Sequence, residues 1–276
     1  MQKIDAHQHF WKYNKVKDGW INRKMKVIQK DFMPEDLEPV IEANGMNGCV
    51  AIQSDQSEEE NNFLLHCADN HDWIKGVVGW IDLQNPDIAK RLVHYRSFPK
   101  MKGFRHILQG ETDRALMLRP AFNAGIEALA KYNFTYDILI QPDQLMIARE
   151  LALRLPEQKF VLDHIGKPDI KNNSSTDWEE DIKLLAGCKN VYCKISGMVT
   201  EADWKKWKPE QIKPYLDTVV TAFGTDRIMF GSDWPVCLLA ASYEEISGLA
   251  EEYISSLSAT EQVSFWSGNA TSFYNL

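Results

Sequence analysis

The 276-residue sequence predicts a (β/α)8, or TIM, barrel, on three observations. Eight short runs rich in β-branched and aromatic residues are spread along the chain, each of strand length. Amphipathic stretches of helical period separate them, the alternation that builds a parallel sheet wrapped in helices. No run is followed by a GxGxxG or phosphate-binding loop, so the competing doubly wound sheet lacks its expected ligand loop. Residues 1–276 read as one domain of the barrel type.

The strand runs are KIDAHQHF (3–10), GCVAIQS (48–54), KGVVGWID (75–82), KGFRHIL (102–108), TYDILIQ (135–141), KFVLDHI (159–165), VYCKISG (191–197) and RIMFGSDW (227–234). After the first, PEDLEPVIEANG (34–45) reads as a helix closed by a glycine C-cap. DQSEEENNFLLHCADNH (55–71) reads as a helix whose acidic start, Glu58–Glu60, suits the dipole and faces solvent. NPDIAKRLVHYRS, RPAFNAGIEALAKY, PDQLMIARELALRL, DWEEDIKLLAGC and PEQIKPYLDTVVTAFG follow the next five strands. SYEEISGLAEEYISSL and SATEQVSFWSGNATSFY read as two helices of the tail. Two segments break the alternation: basic, aromatic 11–33 and polar, turn-rich 166–176. Both follow strand ends, where active-site loops of a barrel belong.

Composition narrows the function. A net charge of −8 argues against nucleic acid as the partner. No apolar stretch reaches the length of a membrane span. No charged-then-apolar leader precedes the first strand, which by default places the protein in the cytoplasm. Five scattered cysteines without CxxC spacing read as reduced, buried thiols.

Side-chain parity then selects inward-facing groups. His7 and His9 are two apart on strand one and share a face, with Asp5 one layer deeper. His164 ends strand six, and Asp233 ends strand eight. Strands one and eight adjoin in a closed barrel, so His7, His9 and Asp233 converge. On strand seven the apolar set Val191, Cys193 and Ile195 faces the helices, which turns Lys194 and Ser196 inward. Gln53 nears the end of strand two, and Trp80 that of strand three. Arg105 and His106 are adjacent on strand four, so only one points straight in. Trp11, Trp80 and Trp234 are candidates to stack on a sugar face, although a large aromatic near a strand end commonly just packs. His66, His71 and His94 fall in helical stretches, away from strand ends.

Two imidazoles and a carboxylate form a nitrogen and oxygen set suited to one divalent metal, zinc first. His164 is either a fourth ligand or a group that orients water or polarises a carbonyl. Such a site suits hydrolysis of an ester, lactone or amide.

The motifs DAHQHFW, LDHIGKP and FGSDWPV resemble those of the amidohydrolase superfamily. The similarity is to its amidohydrolase-related branch of sugar lactonases, the L-fuconolactone and L-rhamnono-lactone hydrolases, and more distantly to 2-pyrone-4,6-dicarboxylate lactonase. It extends through GFRHI, QGETD, KISG and the final GNATSFY. The resemblance implies a (β/α)8 barrel of the metal-dependent hydrolase type. It implies that His7, His9 and Asp233 form the metal site and that Asp233 serves as general base. His164 becomes the strand-six histidine, and Arg105 and His106 hold the substrate carbonyl or hydroxyls. Gln53, Trp80, Lys194 and Trp234 are the substrate-binding candidates. One departure stands out: strand five ends ILIQPD, without the histidine many relatives carry there. A dinuclear centre is thereby disfavoured, and a mononuclear or a metal-free site stays open.

The reading is therefore a lactonase acting on a small sugar lactone, self-association being left open. A decarboxylase of the same superfamily or a dicarboxylate lactonase is the alternative, and a binding protein on a barrel scaffold is the third reading. Release of CO2 rather than acid would mark the decarboxylase.

Overall fold

In a computed structural model describing residues 1–174 and 176–276, eight parallel strands form one sheet in chain order. They are β1 (Ile4–Gln8), β2 (Gly48–Ile52), β3 (Ile74–Gly79), β4 (Met101–Ile107), β5 (Thr135–Leu139), β6 (Phe160–Leu162), β7 (Val191–Ile195) and β8 (Ile228–Phe230). The ring closes beyond the end of β8. His9 N–H donates to the Trp234 carbonyl at 2.7 Å, and Asp233 N–H to the His7 carbonyl at 2.8 Å. All eight predicted strands are present, and the barrel is the predicted architecture.

The helices alternate with the strands: α1 (Pro34–Ala43), α2 (Glu58–Asn70), α3 (Ile88–Tyr95), α4 (Pro120–Lys131), α5 (Leu145–Arg154), α6 (Thr176–Ala186), α7 (Pro209–Phe223) and α8 (Tyr243–Ile254). Five of them start at a proline or a capping serine. Pro34, Pro120 and Pro209 open α1, α4 and α7, where a missing N–H costs nothing. Ser57 and Ser242 cap α2 and α8 by accepting from the amides of Glu60 and Glu245. The acidic start of α2 differs from expectation. Glu60 is buried and accepts from the Ser54 amide at 2.6 Å and the Ser54 hydroxyl at 2.8 Å, so it anchors the loop after β2. The last predicted helix is broken into α9 (Ala259–Val263), a π-turn at Ser264–Gly268 and α10 (Asn269–Tyr274).

Two cores follow from strand alternation. The larger lies between sheet and helices and takes side chains such as Cys49, Ala51, Phe104, Tyr136, Phe160, Cys193 and Phe230. A second, separate cluster fills the barrel: Ile4, Ala6, Val50, Ile52, Val78, Val161 and Met229, joined by Ala270, Phe273 and Tyr274 of α10. The C-terminal helix thus plugs the barrel floor. All five cysteines are buried and unpaired.

One register irregularity matters to function. Asp5 pairs with Cys49 but Gln8 pairs with Ala51, so β1 holds one extra residue between them. This bulge shifts parity. Asp5 therefore does not share the face of His7 and His9. It points to the helix layer, where its carboxylate accepts from the Ser232 hydroxyl (2.6 Å), the Ser232 amide (2.9 Å) and Tyr243 of α8 (3.0 Å).

Candidate active site

The cavity opens at the carboxyl ends of the strands, with a volume of about 310 Å³. Its polar groups include His9, Arg105, His164, Lys167 and Asp233, and Trp11, Trp20, Ile107, Leu139 and Val236 give it an apolar wall. The two irregular segments both reach it, 11–33 through Trp11 and Trp20, 166–176 through Lys167. Ser175, within the second, lies outside the described residues.

Local backbone geometry delivers the key side chains. β6 stops at Leu162, three residues short of its predicted end, because the chain then turns left-handed at His164 (φ 55°), Ile165 (φ 50°), Gly166 (φ 73°) and Lys167 (φ 53°). Left-handed backbone is costly for non-glycine residues, most of all a β-branched one, and persists where surrounding contacts over-determine it. Here it swings the His164 ring over the barrel mouth, where Nδ1 lies 2.9 Å from Ser196 Oγ. β8 likewise ends early, and Asp233 takes φ 59°. Gly231 allows this approach, since a Cβ there would sit 2.7 Å from that of His7.

Asp233 Oδ1 is the point of convergence. It lies 3.4 Å from His9 Nε2, 3.7 Å from His7 Nε2 and 3.9 Å from His164 Nε2, and the two Nε2 atoms of His7 and His9 are 3.2 Å apart. Burial works to raise the Asp233 carboxyl, but the surrounding imidazoles outweigh it and hold it well below the carboxylate range. Burial pushes His7 well below the ordinary histidine range and His164 down to about 4, so both rings are neutral near pH 7. His9 donates from Nδ1 to the Ile52 carbonyl at 2.8 Å, which turns its Nε2 toward Asp233.

This donor set fits a divalent ion. His7, His164 and Asp233 offer ligand atoms within 4.8 Å of one another, and His9 Nε2 adjoins two of them. Neutral imidazoles and an ionised carboxylate are the states zinc requires. The outer nitrogens of His9 and His164 are held by a carbonyl and a hydroxyl, the partners that orient metal-ligating histidines.

The remaining predicted residues divide sharply. Arg105 is buried and reaches the cavity. Its guanidinium donates to Asp163 Oδ2 at 2.9 Å and to the Gln53 side chain at 3.0 Å, and also bonds the Gln53 carbonyl. Gln53 is therefore fully buried beneath Arg105 and holds it, rather than facing a substrate. Lys194 is fully buried too, its Nζ 2.5 Å from Asp137 Oδ2, 3.0 Å from Asp163 Oδ1 and 3.1 Å from His7 Nδ1. His106 turns away from Arg105. It packs on Phe122, accepts from the Trp80 indole N–H at 3.3 Å and lies 2.8 Å from Glu111 Oε1. Trp80 thus braces His106 outside the group of residues that lines the cavity. Trp234 is buried against Phe10 and Phe32. Gln53, Trp80, His106, Lys194 and Trp234 thus all lie outside the group of residues that lines the cavity, because nearness to a strand end does not tell a rim or core position from a cavity wall. Two residues escaped the sequence reading, Asp137 and Asp163, although both follow inward parity on β5 and from Val161 of β6.

The amidohydrolase family profile matches residues 4–276, and the chain belongs to that family. An L-fucono-1,5-lactonase of Burkholderia multivorans is 39% identical over 285 aligned residues, covering 99% of this chain and 96% of that one. A second L-fucono-1,5-lactonase, from Burkholderia ambifaria, is 34% identical over 243 residues, covering 87% and 83%. A crystal structure of an amidohydrolase from Burkholderia multivorans with bound zinc superposes with a TM-score of 0.97 at 39% identity, over 100% of both chains.

Proposed function

We propose that this amidohydrolase opens the lactone of a sugar acid of the L-fucono or L-rhamnono type by adding water to the ester carbonyl. The observation that carries the reading is Asp233, an ionised carboxylate among three imidazoles at the inner end of a mixed polar and apolar cavity. Full-length similarity to L-fucono-1,5-lactonases supports the substrate class.

In this reading a water beside Asp233 gives its proton to the carboxylate as its oxygen adds to the lactone carbonyl. Arg105 and His164, both at the cavity wall, flank the carbonyl oxygen as it becomes an oxyanion. Asp233 then returns the proton to the departing ring oxygen, and the open acid leaves as a carboxylate. His7, His9, His164 and Asp233 are the residues that would hold one zinc ion. When bound, the ion supplies Lewis acidity toward the carbonyl or the water. Trp11 and Trp20 shield the reacting face from bulk solvent. The decarboxylase alternative calls for a strand-five histidine, and β5 runs TYDIL into Ile140 and Gln141.

The same reading treats residues 1–276 as one domain and leaves self-association to light scattering. Cytoplasmic residence is supported by five free buried thiols, which suit a reducing compartment. No helix among the described residues is long and apolar enough to cross a membrane.

The test is acid release across a panel of aldonolactones, with L-fucono-1,5-lactone first. Rapid turnover of one or two deoxy-sugar lactones is expected, falling at least about tenfold on chelation and returning with zinc. Absence of turnover across the panel overturns the reading.

A further inference from the structure

Below the cavity, a line of buried hydrogen bonds and ion pairs runs the depth of the barrel. It begins at Tyr274, near the C-terminus, whose hydroxyl donates to Asp137 Oδ2 at 2.8 Å. The same oxygen accepts from Lys194 Nζ at 2.5 Å, and Lys194 also lies over the Tyr274 ring, 5.6 Å from its centre. Lys194 Nζ is 3.0 Å from Asp163 Oδ1. Asp163 holds the Arg105 guanidinium through Oδ2 at 2.9 Å and stands 3.2 Å from His7 Nδ1. Every member is buried, Tyr274 at 2% exposure and Asp137, Lys194 and Asp163 at 0%.

Packing alone does not account for this arrangement. The other α10 side chains in the barrel, Ala270 and Phe273, are apolar, and phenylalanine would fill the Tyr274 position. Buried ion pairs seldom add stability over well-packed apolar groups. Their charges here cancel, Arg105 and Lys194 against Asp137 and Asp163, so the group can be ionised throughout without a net buried charge. What the line does supply is direction. Each link is an oriented hydrogen bond or close ion pair, and its upper end grips a cavity-wall cation and one of the three imidazoles around Asp233.

We propose that Tyr274 is a distal positioning residue: through Asp137, Lys194 and Asp163 it sets where Arg105 and His7 stand at the cavity. The C-terminal helix is then part of the catalytic apparatus as well as a plug. The kinetic form of the inference rests on the lactonase reading.

A double-mutant cycle tests it. Tyr274→Phe keeps the ring and removes one hydroxyl. It is expected to lower kcat about fivefold with KM within about twofold, and to lower kcat less than about twofold when Arg105→Lys is already present. A merely structural role predicts a lower melting temperature and equal kcat effects in both backgrounds. Asp137→Asn, one link nearer, repeats the cycle should Tyr274→Phe fold poorly. Additivity in the cycle overturns the proposal. If the unaltered protein turns over no lactone, the lactonase reading fails by itself. The same four proteins are then compared by zinc-binding calorimetry, where non-additive affinities uphold the positioning line and additive ones overturn it.

Discussion

At the barrel floor, Ile4, Ala6, Val50, Ile52, Val78, Val161 and Met229 meet side chains of α10, and nearly every contact is apolar. Further along the same axis, Arg105, Asp137, Asp163 and Lys194 meet as charges, with His7 beside them. Both halves are deeply buried. The floor is held by close packing, which tolerates small changes of shape at modest cost. The upper half is held by pairing, where removing one partner strands another in a medium that cannot solvate it. One fold thus contains a region tuned for stability and a region tuned for geometry, and substitutions should separate them.

The largest separation is expected at Asp233. Asp233→Asn should lower turnover about a thousandfold while the thermal transition stays near its original temperature. Turnover within tenfold of the original would remove the general-base role. Next comes Asp163→Ala, which leaves Arg105 and Lys194 short of a shared counter-charge. Chemical denaturation should show a loss of about 3–5 kcal/mol, together with poor activity. A loss below 1 kcal/mol would erase the distinction between the halves.

Acid should also act through the upper half. His164 titrates at about 4 in the folded protein, chiefly because burial disfavours the charged ring, against 6.5 ordinarily. Between those values the unfolded chain binds a proton that the folded protein refuses, so stability rises with pH across the window. The contribution is complete above about 6.5 and gone below about 4, and amounts to about 3 kcal/mol. Denaturation of metal-depleted protein at about pH 7 and about pH 4.5, with His164→Gln as reference, measures it; equal slopes for both proteins would refute it. The smallest effect belongs to the floor. Ile52→Val should cost about 1 kcal/mol and leave kcat unchanged.

How much of this was legible beforehand depends on backbone regularity. Eight strands and their helices follow from period and composition, and so does the convergence of His7, His9, His164 and Asp233. The β1 bulge left no mark in the sequence, and it turned Asp5 outward. The left-handed run at 164–167 shortened β6, since HIGK reads locally as a strand end leading into a loop. Asp163 was hidden by its neighbour His164, the more conspicuous ligand type. At Arg105 and His106 parity allows only one inward residue, and the structure makes it Arg105; a strand end misled at Trp234. Only tertiary contacts decide which of two neighbours faces a cavity.

The site lies on the seam where the ring closes, with His7 and His9 from the first strand and Asp233 beyond the last. A nascent chain lacks this constellation until its eighth strand has emerged, and the Tyr274 contact with Asp137 comes later still. The full set of candidate ligands therefore assembles only after the eighth strand has been made. A truncated product can build most of the barrel wall and still be without a complete site.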